Sequence, residues 1–237
     1  MSLLVARDEA RGLSRLDRSR AGTFRVNVPG EPGEAGPCAM LELFRQIARQ
    51  AKTPLGFENA PGCWSGTKSA LPDSVGRVLQ ARTAREAFDE VAAFTETFAW
   101  REKDGVAVIR PISAWGEADS LLNARVDTFQ LTNVSLEDAL YRALDATKPR
   151  LPYARTRRSS SSGPFDVPMS VDFSGGTLWA ALTAIVHAKG DAEWHVGYAD
   201  GRAAILVSSF GRLGTSATAF IPVTRGSNRA ARSAPAL

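Results

Sequence analysis

An α+β fold is predicted by three observations: a pattern that occurs twice, alternation of strand-like and helical periodicity, and turns rich in Gly, Pro and Asp between the periodic runs. Residues 78–111 and 171–208 share one order. Each has a short β-like run, a helix of about three turns, a strand carrying Trp (Trp100, Trp194), an Asp-Gly turn (Asp104-Gly105, Asp200-Gly201) and an apolar closing strand. Trp and Asp-Gly recur in the same order at nearly the same spacing, which points to a duplicated unit. The expectation is two tandem small domains, each built as βαβ plus βαββ, with helices packed on short sheets.

Residues 23–111 form the first expected domain. Phe24, Val26 and Val28 alternate with Arg25 and Asn27, the period of a strand. Gly30 to Pro37 holds too many breakers for regular structure. Met40, Leu43, Phe44, Ile47, Ala48 and Ala51 then follow helical spacing, and Leu55-Gly56-Phe57 reads as a short strand. After a loop over 58–74, a strand begins at Val75. Thr83 and Glu86 have capping-box spacing, ahead of an apolar face of Ala87, Phe88, Val91 and Ala92. Phe98 to Trp100 and Val106 to Ile109 flank Asp104-Gly105 as a hairpin.

Residues 112–125 read as a linker, and residues 126–208 repeat the order. Phe129 and Leu131 alternate in a strand. Ser135 caps a helix with Asp138 at its third position, and Leu136, Ala139, Leu140, Ala143 and Leu144 form the buried stripe. The insert 148–167, with its arginines and the run Ser159 to Ser162, is expected to be mobile. Met169, Val171 and Phe173 alternate, Thr177 caps the next helix, and Trp194 to Tyr198 pairs across Asp200-Gly201 with Ala203 to Val207.

Charge is informative once located. The formal net charge is +4. Residues 209–237 carry Arg212, Arg225, Arg229 and Arg232 and no acid, leaving 25 basic against 25 acidic residues over 1–208. The basic excess belongs to a Ser/Ala/Gly/Pro-rich tail expected to be disordered, so composition offers no basic face for nucleic acid. No run approaches the roughly 20 apolar residues of a membrane span. Residues 1–22 scatter their apolar positions among charges and read as a leader of low order without a secretory core. Read as a complete N-terminus, that leader places the chain in the cytoplasm.

The run Phe129-Gln-Leu-Thr-Asn-Val-Ser135 followed by Leu136-Glu-Asp-Ala-Leu140 resembles the secretin and TonB short N-terminal (STN) domain and related periplasmic modules of secretins. So does Val78-Leu-Gln-Ala-Arg-Thr83 followed by Ala84-Arg-Glu-Ala-Phe88 and the hairpin ending Val106-Ala-Val-Ile-Arg110. The resemblance implies two tandem copies of a module that works by contact. It implies a periplasmic setting, no cofactor, no catalytic residues and a protein partner of the cell envelope, secretin-like or regulatory. Neither an outer-membrane barrel nor a signal sequence accompanies the copies, so pore or transducer activity is not implied.

Other residues carry candidate chemistry. Cys38 and Cys63 flank the first helix–strand unit; a disulfide between them, closing about 26 residues, would stabilise by roughly 3 kcal/mol. Unpaired structural cysteines and a reactive thiol stay open beside it. His187, His195 and Asp191 do not converge on a metal, and both histidines read as surface residues. Trp64 sits between glycines, either plugging its own core or offering a contact. Arg155, Arg157 and Arg158 suit an acidic partner. With Arg150 and the basic tail they also carry the alternative reading, a nucleic-acid-binding adaptor.

Overall fold

The computed structural model describes residues 14–18, 23–29, 40–60, 74–155, 167–210 and 216–223. Its first half contains β1 (Arg25–Pro29), α1 (Met40–Ala51), β2 (Leu55–Glu58), β3 (Ser74–Val78), α2 (Ala84–Ala92), β4 (Phe98–Lys103) and β5 (Val106–Pro111). Two 3-10 turns, Ser113–Trp115 and Leu121–Asn123, and the short β6 (Arg125–Val126) lead on. The second half contains β7 (Phe129–Val134), α3 (Leu136–Asp145), β8 (Thr147–Lys148), β9 (Ala154–Arg155), β10 (Met169–Phe173) and β11 (Gly176–Thr177). It closes with α4 (Leu178–Lys189), β12 (Ala192–Ala199), β13 (Arg202–Ser209) and β14 (Ser216–Pro222). The fold is α+β.

Local chemistry explains why these segments form. Thr83 accepts from the Glu86 amide at 3.2 Å while the Glu86 carboxylate accepts from the Thr83 amide at 3.1 Å, so two of the orphan donors at the start of α2 are satisfied. Ser135 and Thr177 cap α3 and α4 through the amides three residues on. Both hairpins close on two residues of positive φ, Asp104 (52°) and Gly105 (73°), then Asp200 (51°) and Gly201 (70°). That backbone twist matches the strands it joins.

Trp100 and Trp194 make matching contacts to their helices. Trp100 on β4 donates its indole N–H to Asp89 on α2 at 2.8 Å. Trp194 on β12 donates its own to Thr183 on α4 at 3.2 Å. Each acceptor is the sixth residue after its helix-capping threonine.

One seven-stranded sheet runs through both halves in the order β4-β5-β2-β12-β13-β14-β9. Strand β2 lies parallel to β5 on one side and to β12 on the other; every other neighbour is antiparallel. The expected pair of short sheets is therefore a single sheet. The reason is the unpaired backbone row that any short sheet leaves at its edge: β2 and β12 satisfy each other's.

Strand alternation divides the core in two. Ala107 and Ile109 of β5 join Leu55 and Phe57 of β2 beneath α1 and α2. Val106 and Val108 face the other way, with Trp194, Val196, Ile205 and Val207, beneath α3 and α4. Leu43, Phe44 and Ile47 of α1 are fully buried, each stabilising by about 1.5–3 kcal/mol relative to exposure. Outside each helix pair lies a two-stranded ladder, β1 with β3 and β7 with β10.

Four expectations need correction. Within the leader, residues 14–18 are ordered: Arg15–Asp17 form a 3-10 turn whose Leu16 is fully buried, and Asp17 pairs with Arg85 at 2.5 Å. Within the tail, residues 216–222 form β14 inside the sheet, with Ala217, Ala219 and Ile221 buried against the α3 side. A strand of small residues packs flat beneath a helix, and its composition mimics that of a linker. The linker 112–125 is itself fastened down, with Leu122 buried and Asn123 hydrogen-bonded twice to backbone carbonyls. Of the insert 148–167, residues 148–155 carry β9 and defined contacts. Among the described residues no helix is long and apolar enough to cross a membrane.

Candidate functional site

Arg155, on β9, and Arg150 are the sequence-selected contact residues within the described region; Cys38, Cys63, Trp64, Arg157 and Arg158 lie outside it. The Arg155 guanidinium meets an aromatic ring: it sits 4.3 Å from the centre of the Tyr141 ring, and that ring stacks on Tyr153 at 5.7 Å and 8°. The Tyr153 hydroxyl donates to Asp145 at 3.0 Å, and Asp145 also pairs with Arg150 at 2.5 Å. Burial and the Glu137 carboxylate push Tyr141 up to about 12. Burial works against the Asp145 charge, but hydrogen bonds from Arg150 and Tyr153 outweigh it and its pKa falls below the usual range. The cluster fastens β9 and α3 together. Arg155 is thus engaged within its own fold, which removes it from a freely presented basic loop.

The strongest polar constellation was not anticipated from the sequence. Arg110, fully buried at the end of β5, donates from Nε to Glu58 at 2.6 Å, and from its terminal nitrogens to Asn123 at 2.8 Å and Ser120 at 3.1 Å. The Tyr198 hydroxyl, on β12, donates to the other Glu58 oxygen at 2.5 Å. Burial, then the Glu58 charge, raises Tyr198 well above its ordinary value, so it stays a donor. One carboxylate thereby clasps β5, β2 and β12. Arg110 closing the apolar run Val106 to Ile109 is the signal that could have exposed it: a charge ending a buried strand needs a partner.

His195, read as a surface residue, is buried on the α1 side of β12. Alternation on β12 puts it on that face, where α1 covers it, and neither ring nitrogen has a partner among the described residues. Burial and the Arg45 charge hold its pKa down to about 3, so it is neutral. Arg45 itself pairs with Glu193 at 2.8 Å. Among the described residues no three His, Cys, Asp or Glu side chains gather as a metal site.

What remains is the sheet and its edges. At the β2–β12 joint Trp194 lies opposite Gly56, and a Cβ built on Gly56 would stand 2.4 Å from the indole. Only glycine lets the ring lie there. A glycine inside an apolar strand is a known sign of such close approach. At the far end of the sheet β4 has β5 as its sole strand neighbour among the described residues. The free side of β1 is treated differently. Gln46 accepts from the Asn27 amide at 2.8 Å, while Gln50 accepts from the Arg25 amide at 3.1 Å and donates to its carbonyl at 2.6 Å. Helix side chains thus occupy the edge of β1. No family model, curated protein or solved structure matches the chain.

Proposed function

We propose that the protein is a non-enzymatic protein–protein interaction module of the bacterial cell envelope, of the STN-like kind, that docks a secretin-like or regulatory protein by sheet extension. The observation that carries this reading is the β2–β12 joint: one repeated unit adds to the next by parallel strand pairing, with a tryptophan laid over a glycine. The ionisable groups support the same view. Of the buried ones, Arg110 and Glu58 hold the joint, Glu193 pairs with Arg45, and His195 stays neutral. The first half runs β1-α1-β2 then β3-α2-β4-β5, the order on which the resemblance rests; the second half keeps β10, α4, β12 and β13 in that order and interposes β8, β9 and β11.

The test is affinity capture from envelope extract with the full-length chain as bait. Full length matters because trimming the C-terminal residues would strip β14 out of the sheet. The expected result is salt-resistant capture of an envelope protein that binds again in purified form. Recovery of nucleic acid, with steep salt dependence, would overturn the reading in favour of the adaptor.

A further inference from the structure

We infer, on the docking reading above, that the outer edge of β4 is the partner site, and that it takes an extended segment in parallel register. That segment carries glycine opposite Trp100 and an acidic residue opposite Arg101. The inference comes from comparing the two equivalent strands. On β12 the hairpin to β13 uses the backbone of Ala199, Gly197, His195 and Glu193, so that of Val196 and Trp194 points toward β2. The Asn59 amide donates to the Val196 carbonyl at 2.8 Å, as this alternation requires.

On β4 the same alternation applies. The Ile112 amide donates to the Thr97 carbonyl at 2.9 Å, which sets the phase of the β4–β5 ladder. The backbone groups of Phe98, Trp100 and Glu102 therefore point away from β5, to the side with no strand among the described residues. Trp100 occupies the place of Trp194 in the repeat. Its indole is tethered to Asp89 and packs on Phe88 at 5.3 Å, yet it stays half-buried, with no strand beyond β5 beside β4 among the described residues.

The residue preferences follow from the pairing already in the molecule. Gly56 is the β2 residue opposite Trp194, so glycine is the residue that fits opposite Trp100. The next β2 residue, Phe57, faces His195, whose counterpart on β4 is Arg101. Arg101 is exposed and lies over the Trp115 ring at 4.3 Å, with Lys103 exposed two residues on. Opposite charges directly across a strand pair attract, whereas Phe57 at that place would lie in water. Charged side chains at this edge also discourage pairing with arbitrary strands, which makes the edge selective.

The experiment uses a synthetic peptide of residues 52–60 carrying Phe57→Asp, titrated into the full-length protein. Fluorescence anisotropy gives affinity and amide hydrogen exchange gives location. Saturable binding is expected, with new protection at Trp100 and Glu102, at least tenfold weaker binding for the same peptide with Gly56→Leu, and loss on Glu102→Pro in the protein. Proline there removes an outward-facing N–H while sparing the ladder to β5; it also removes the carboxylate that accepts from Ser14 and Arg85, so Glu102→Ala, which keeps the N–H, is the paired control and should still bind. Indifference to the peptide glycine, or protection of Trp100 and Glu102 before any peptide is added, overturns the site. Envelope capture retained by the Glu102→Pro protein would also overturn it, and would leave the docking function standing. Peptide binding that meets every criterion without any envelope capture would sustain the edge and count against the function.

Discussion

Trp100 and Trp194 take matching positions after their helix caps, yet one is half-exposed on a strand with a single described neighbour and the other is wholly buried in a joint. The helix contact is the same in both, an indole N–H donating to the sixth residue after a threonine cap. What differs is the neighbour. Beside Trp194 runs β2, with Gly56 under the ring and Glu58 reaching to Tyr198. Beside Trp100 no described strand runs. Local sequence places the ring on its helix; a second strand decides how much of the ring leaves water.

The comparison breaks most readily at the clasp. Glu58→Gln leaves the Arg110 guanidinium fully buried without its counter-charge, and the expected loss is about 3–5 kcal/mol in urea denaturation. No such change on β4 would match it. Truncating the tryptophans separates them next: Trp194→Ala should cost about 3–5 kcal/mol and Trp100→Ala about 1–2 kcal/mol. Equal losses would show that the β2 neighbour adds nothing to Trp194.

Gly56→Val tests the joint from the other strand. Its Cβ would overlap the Trp194 indole, so about 2–3 kcal/mol is expected, shrinking in a Trp194→Ala background. Additive losses in that double-mutant cycle would mean the ring and the glycine do not meet. The smallest effect is a pH dependence. The folded pKa of His195, about 3, lies below its ordinary 6.5, so the unfolded chain binds more protons between those values. Its contribution is therefore complete above pH 6.5 and is lost progressively as pH falls toward 3. Stability should drop by about 1.5 kcal/mol between pH 6.5 and 5, and His195→Leu should abolish that share.

Much of this was legible in the chain. Capping at Thr83, Ser135 and Thr177, the two Asp-Gly hairpins and the apolar stripes of all four described helices were readable because they depend on neighbours within about four residues. The repeated order was readable for the same reason. The candidate site was not. Arg155 could be singled out as a charge, but its engagement with Tyr141 needs α3 beside β9. His195 alternates like any strand residue, and only α1, far away in sequence, makes its face an inside face. Residues 216–222 look like a linker because alanine and serine carry little apolar area, and the close packing of α3 over β14 makes small residues the fitting ones.

Sequence by itself determined the four described helices, most strands and the two hairpins, since hydrogen-bond caps, turn conformations and hydrophobic periods are local. Tertiary structure alone decided that strands of both halves share one seven-stranded sheet, that Glu58 meets both Arg110 and Tyr198, and that β4 rather than β12 is the edge strand among the described residues. Those outcomes depend on which strand satisfies another's unpaired backbone, a choice made between segments more than a hundred residues apart, where the local pattern carries no information.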